Sequence, residues 1–294
     1  MKKVLKEINS LLKITPFTSL LGVVRTILAS PLLLTLLFNP VSILFKPVAG
    51  LIEYSHCKNT NSLTFFCFFN QSNLGLAKLI VIVILCLIIL GYFPQILGIL
   101  HFYIAYSVQN TMTTIDGGEQ VSLVITFWLM LISLFDNRLN HWQKPKNKYD
   151  YNKVFGWAFI IVLKIQIAYI YLNSAITKMK NKEWLDGTAV YYYLNDVIFG
   201  VPDYFYNLFS FVIETPLIGL ITWGTLVIQL LIFATIFASN KVKKVMLYVS
   251  IFMHELFAVF LGLISFSLIM LAVLIFYFSP IIQNDKEKVN EKIN

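Results

Sequence analysis

Charge is what this chain has least of. Asp, Glu, Lys and Arg make up 13% of it against 58% hydrophobic residues, and its mean hydropathy is +0.75. That excludes a soluble domain and describes an all-α, polytopic membrane helix bundle. Histidine is nearly absent (4 residues) and cysteine scarce (3). No third ligand stands at metal spacing near any pair, so no metal is expected. There is no Walker motif, no GxGxxG, no Ser/His/Asp set, no CxxC and no internal repeat. Cys86 lies mid-span as an inert small hydrophobe. Cys57 and Cys67 share one loop, where a structural disulfide is favoured over two free thiols, and the missing CxxC argues against a catalytic pair.

What charge there is has a pattern. Apolar runs fit spans at 17–38, 74–93, 95–110, 119–135, 154–176, 213–238, 245–260 and 262–279, about eight in all. The net charge of +8 could suggest nucleic acid, but the lysines and arginines cluster before the first span, at 138–153, at 241–244 and after 280. All four clusters fall on one side. The positive-inside rule makes that side cytoplasmic, with both termini, and no nucleic acid is implied. The partner is the lipid bilayer. Residues 1–16 read as a basic amphipathic surface segment, 17–280 as the membrane domain and 281–294 as a charged cytoplasmic tail. The first run is long, contains Arg25 and lacks a small-x-small end, so it reads as a retained span rather than a signal peptide. Lys178, Lys180 and Lys182 break the charge rule on the opposite side.

Polar residues inside the spans carry the functional argument, because ionisable groups in hydrocarbon are rare and costly. Lys164, Tyr171 and Lys178 recur every seven residues and share a helix face, with Trp184 and Gly187 just beyond. Gln166, Tyr169, Asn173 and Thr177 form a second polar stripe, leaving Ile165, Ala168, Leu172 and Ile176 for lipid. Such a helix must face protein or a wet cavity. Lys178 reads either as a base or as a helix-end lysine snorkelling to the headgroups. His254 and Glu255 sit side by side at mid-depth but point about 100° apart, so they cannot share one ion. Lys164 has a structural reading as the counter-charge of Glu255. Arg25 reads equally as a snorkelling residue or as half of an ion pair in the bundle. His101 reads as an interhelical hydrogen-bonder. Asp116 and Glu119 read as a helix cap, or as acids brought near Lys178.

Several stretches together carry a resemblance. LLGVVRTILASPLLLTLLFNP (20–40) resembles the first span of the sporulation-delaying protein SdpB family. TIDGGEQ with DNRLNHW, QIAYIYLNSAITKMKNKEWLDGTAVYYYL and MHELFAVFLGLISFSLIML resemble the wider HTTM group, the membrane domain related to vitamin K-dependent gamma-carboxylase. An HTTM-like fold is implied for residues 17–280. In the carboxylase a lysine of the matching segment is the base toward a quinol; Lys178 is the matching position, with one extra residue between it and Trp184. The SdpB resemblance implies maturation or export of a peptide toxin in a bacterial plasma membrane. Its implied partners are a toxin precursor peptide and an SdpA-like protein.

Three readings of function follow. A toxin-maturation component fits the resemblance best. A quinone-dependent oxidoreductase or carboxylase-like enzyme would use Lys178, Tyr171, His254 and Glu255, with a quinone as the cofactor the resemblance implies. A transporter or immunity protein would need paired broken helices or an inverted repeat, and neither is present.

Overall fold

A computed structural model describes residues 14–47, 57, 59–143, 152–197 and 200–280. Most of the amphipathic segment at 1–16, the lysines at 144–148 and the tail at 281–294 lie outside the described residues. The helices are α1 (Ser19–Phe38), α2 (Val41–Leu44), α3 (Leu74–Leu90), α4 (Pro94–Thr111), α5 (Gly117–Leu134) and α6 (Asn152–Lys178). They continue as α7 (Lys182–Leu185), α8 (Ala189–Leu194), α9 (Asp203–Ile213), α10 (Leu217–Ala234), α11 (Asn240–Leu261) and α12 (Ile264–Phe278). The described chain has no strand, as a membrane interior without water to solvate open backbone requires.

Six of the described helices are long and apolar enough to cross a membrane by length and composition, against about eight spans expected. The other two expected spans correspond to α4 and α12. α4 is long enough but more polar, with His101, Gln109 and Asn110 along it. α12 has 15 residues, about 22 Å, short of a ~30 Å hydrocarbon core. The expected span at 213–238 begins late. Pro216 separates the amphipathic α9 from α10, since proline stops one helix and starts the next.

α12 is nonetheless central. It packs on α1, α5, α6 and α11, and Ile269, Met270, Ala272, Val273, Leu274 and Phe276 are all buried. A helix apolar on every side belongs inside a bundle. A second core joins α1, α3 and α4. Small residues let α4 approach α5: a Cβ on Gly98 would stand 2.9 Å from Ser133 Cβ.

Each end of the bundle is capped by irregular chain. At one end Cys57 and Cys67 are bonded, with Cα atoms 5.5 Å apart. The phenylalanine-rich loop beside them caps the bundle, with Phe45 and Phe66 buried and their rings 4.8 Å apart. Its backbone is held by Ser107, whose Oγ accepts from Phe65 N at 2.9 Å. The other end, where α6 and the lysine-bearing α11 begin, is closed by residues 136–143.

Candidate functional site

The segment after α6 folds into a hook. Gly187 adopts φ +80°, a left-handed conformation that favours glycine. A Cβ there would also meet Trp223 at 3.0 Å and Gly219 Cα at 3.2 Å. Trp223 Nε1 donates to Leu185 O at 3.1 Å, and Thr188 N donates to Glu183 O at 2.8 Å. Trp184 is thereby turned inward and buried. Lys178 Nζ sits 5.5 Å above the Trp184 ring and donates to Ser174 Oγ at 2.6 Å. The half-buried ammonium is thus met by a π face and a neutral hydroxyl rather than a carboxylate. On the other elements of the hook, a cleft of about 330 Å³ is lined by Asn181, Glu183, Trp184, Ala189, Tyr192 and Tyr193. Trp184 is common to the cleft and to the lysine.

One and a half to two turns deeper on the same face of α6 lies Tyr171, 2% exposed, its hydroxyl without a hydrogen-bond partner. Its ring meets that of His254 from α11 edge-on at 6.1 Å. His254 Nδ1 is 2.8 Å from Ser250 O. A carbonyl only accepts, so Nδ1 carries the proton and Nε2 holds the free lone pair. Phe257 and Phe266 wall this imidazole, and Lys178 is close enough to act on it electrostatically. Lys178, Tyr171 and His254 therefore converge from two helices. The arrangement offers an amine, an unpaired phenol and an imidazole lone pair beside aromatic walls.

Glu255 does not join them. It is exposed on the far side of α11, where Ser267 Oγ donates to it at 3.0 Å. Nor is Lys164 its counter-charge. Lys164 Nζ donates to the carbonyls of Phe276, Tyr277 and Ser279 at 2.9, 2.7 and 2.6 Å. It thus caps the C-terminus of α12, where unpaired carbonyls and the helix dipole favour a cation. Ser267, which holds Glu255, is nine residues away on α12, about 13 Å along its axis. The second polar stripe is also turned outward: Tyr169, Asn173 and Thr177 are exposed, while Ala168, expected toward lipid, is buried. Asp116 and Glu119 form a reciprocal cap on α5: Asp116 accepts from Gly118 N at 2.6 Å and Glu119 from Asp116 N at 2.9 Å. Among the described residues no cluster of three His, Cys, Asp or Glu is placed to hold a metal.

A second polar centre lies at the other end of the bundle, built from residues far apart in the sequence. Arg138 pairs with Asp136 at 2.7 Å and donates to the carbonyls of His141 and Gln143 at 2.8 and 3.0 Å. His141 N donates to Gly91 O at 3.0 Å and Phe93 N to Leu139 O at 2.8 Å. This ties residues 136–143 to the α3–α4 turn. Beneath the tie lies Arg25, 2% exposed, with Nη1 and Nη2 unpaired. It neither snorkels nor pairs: Asp136 is within its electrostatic reach but is bound by Arg138. Burial, and then the charges of Arg25 and Arg138, hold the His141 imidazole down at about 4, so it is neutral near pH 7. Arg25 and DNRLNHW were visible in the sequence; that they meet across more than a hundred residues was not.

No family model and no solved structure matches the chain. It is similar to two proteins of Bacillus subtilis (strain 168). One is the uncharacterized protein YitO, 42% identical over 270 residues, covering 90% of this chain and 87% of that protein. The other is sporulation-delaying protein SdpB, 36% identical over 273 residues, covering 92% of this chain and 84% of that protein. With its apolar helices and this extent of identity, the chain is a multi-pass membrane protein of the SdpB family.

Proposed function

We propose that this protein is the integral membrane component of peptide-toxin maturation or export in a bacterial plasma membrane. It acts with the toxin precursor and a small SdpA-like partner, has both termini in the cytoplasm, and carries its site at the outer face. The carrying observation is the hook that seats Lys178 on Trp184 beside an open aromatic cleft. Under this reading the cleft receives the precursor peptide. Tyr192 and Tyr193 contact its apolar side chains, while Asn181 and Glu183 bond its backbone or a basic side chain. Lys178 then acts on a peptide carbonyl, as hydrogen-bond donor or as the group that moves a proton.

A second reading is favoured by the unpaired Tyr171 hydroxyl. A ring ketone beside Tyr171 and Lys178 would satisfy both donors, making the protein a quinone-dependent membrane enzyme with Lys178 as base. The described cleft is lined by neither Tyr171 nor Lys178, so this reading requires room for the ring to open beside the buried phenol; the quinone would supply the redox chemistry.

The test is mature toxin output from cells carrying Lys178→Ala or Lys178→Arg, with the membrane level of the protein measured in parallel. Normal level with mature peptide lost in Lys178→Ala is the expected result. Normal peptide from both variants would rule out chemistry at Lys178. Quinone-dependent turnover by the purified protein would favour the second reading.

A further inference from the structure

α11 is the least buried of the six long apolar helices. One side of it, Met246, Ser250, Met253 and His254, enters the bundle. On the other side Val245, Tyr248, Phe252, Glu255 and Val259 are all exposed. They recur at alternating spacings of three and four and lie within about 80° of arc, the pattern of a helix–helix seam. Glu255 stands eleven residues beyond Lys244, about 16 Å along the helix. α11 ends six residues further on, about 9 Å, so Glu255 lies some two-thirds of the way along it, inside the apolar part of the helix. Ser267 supplies it one hydrogen bond, which leaves most of the acceptor capacity of a carboxylate unused. Ionisable side chains at such depth face protein or water rather than lipid.

We infer that this face of α11 docks a membrane-spanning segment of another protein, and that the segment carries a lysine or arginine at the depth of Glu255. The charge on the stripe decides between occupants. In a two-fold dimer within a membrane the axis runs along the membrane normal, so the stripe would meet itself and Glu255 would face Glu255. Two carboxylates brought together there repel, and between Tyr248 and Val259 the stripe has no cation to offset them. Lys241 and Lys244, at the helix start, are too far along the axis to reach. A basic partner helix satisfies the carboxylate and covers the apolar residues on both sides of it. The inference is independent of what Lys178 does.

The test uses the full-length protein in its native membranes, with a benzophenone amino acid at Phe252 or Val259, and at Leu79 on the exposed face of α3 as control. After illumination, mass spectrometry locates each adduct. The expected result is an adduct from positions 252 and 259, absent at 79, within a membrane-spanning segment that bears Lys or Arg. Glu255→Gln should lower that adduct about tenfold, as loss of one interhelical hydrogen bond at 1–2 kcal/mol implies. Glu255→Lys should abolish it, and replacing the partner's basic residue with Glu should restore it. Adducts to lipid alone, to a second copy of this chain, or to another segment of this chain would each overturn the inference. So would a protein adduct indifferent to Glu255→Gln at unchanged membrane level.

Discussion

Replacing Lys164 with methionine separates two accounts of this buried lysine of α6. Its ammonium reaches four acceptors: the three carbonyls that end α12 and Ser279 Oγ at 3.1 Å. Lys164→Met keeps the aliphatic stem and removes every donor. A hydrogen bond from a charged group is worth ~1.5–3 kcal/mol in water-soluble proteins, and interhelical bonds in membranes average nearer ~0.6. At ~1 kcal/mol for each of the three carbonyls, the loss is about 3 kcal/mol, some two orders of magnitude in the folded-to-unfolded ratio. The assay is reversible unfolding of the full-length protein in mixed detergent micelles. Lys164→Arg, which retains charge and donors, should lose less than ~1 kcal/mol, and the exposed Lys180→Met should stay within ~0.5. The double variant Lys164→Met with Glu255→Gln should show additive effects, because the two side chains bond opposite ends of α12. A Lys164→Met protein as stable as wild type would refute the cap. Strong coupling to Glu255 would restore the ion pair between them.

Two further outcomes follow from the ends of the bundle. The His141 imidazole is held at about 4 against 6.5 in an unfolded chain. Above pH 6.5 both states are neutral there; below it the unfolded chain takes the proton first, so stability falls from pH 6.5 toward 4 by at most ~3 kcal/mol. His141→Asn should flatten that part of the pH–melting curve; an unchanged slope would contradict it. Gly187→Ala forces a side chain into a left-handed backbone and against Trp223, which should cost about 1–3 kcal/mol. It should also move the tryptophan emission to longer wavelength as the hook opens and exposes Trp184, and an unshifted spectrum with unshifted melting would show the hook to be irrelevant.

The hook was the most legible part of the chain. A lysine cluster on the wrong side of the charge rule, followed by tryptophan and glycine, has few uses, and heptad spacing brought Tyr171 under Lys178 without knowledge of any neighbour. His254 was singled out by depth alone, and depth also misled. Depth does not say which way each of two adjacent residues points, and with about 100° between them only His254 turns into the bundle. The partner of Lys164 was illegible for another reason: the acceptors are backbone carbonyls over a hundred residues away, and every residue has a carbonyl. The same holds for DNRLNHW, whose hydrogen bonds run to backbone of Thr18, Leu90, Gly91 and Phe93. The uniform apolarity of α12 fits enclosure in the bundle and exposure to lipid alike, so its central place is not legible from its residues.

The central position of α12 has a consequence in time. It follows every other described helix in the chain, yet α1 packs on it directly, across roughly 230 residues of intervening sequence. At ribosomal rates of about 5–20 residues per second, α1 waits on the order of 10–50 s for its neighbour. During that interval the faces of α1, α5, α6 and α11 that will surround α12 are open to lipid or to whatever accompanies the nascent chain. The bundle therefore closes from its periphery inward. The last of the described helices to be made is one too short to span the bilayer comfortably alone, and its end meets the ammonium of Lys164 on a helix made about a hundred residues earlier.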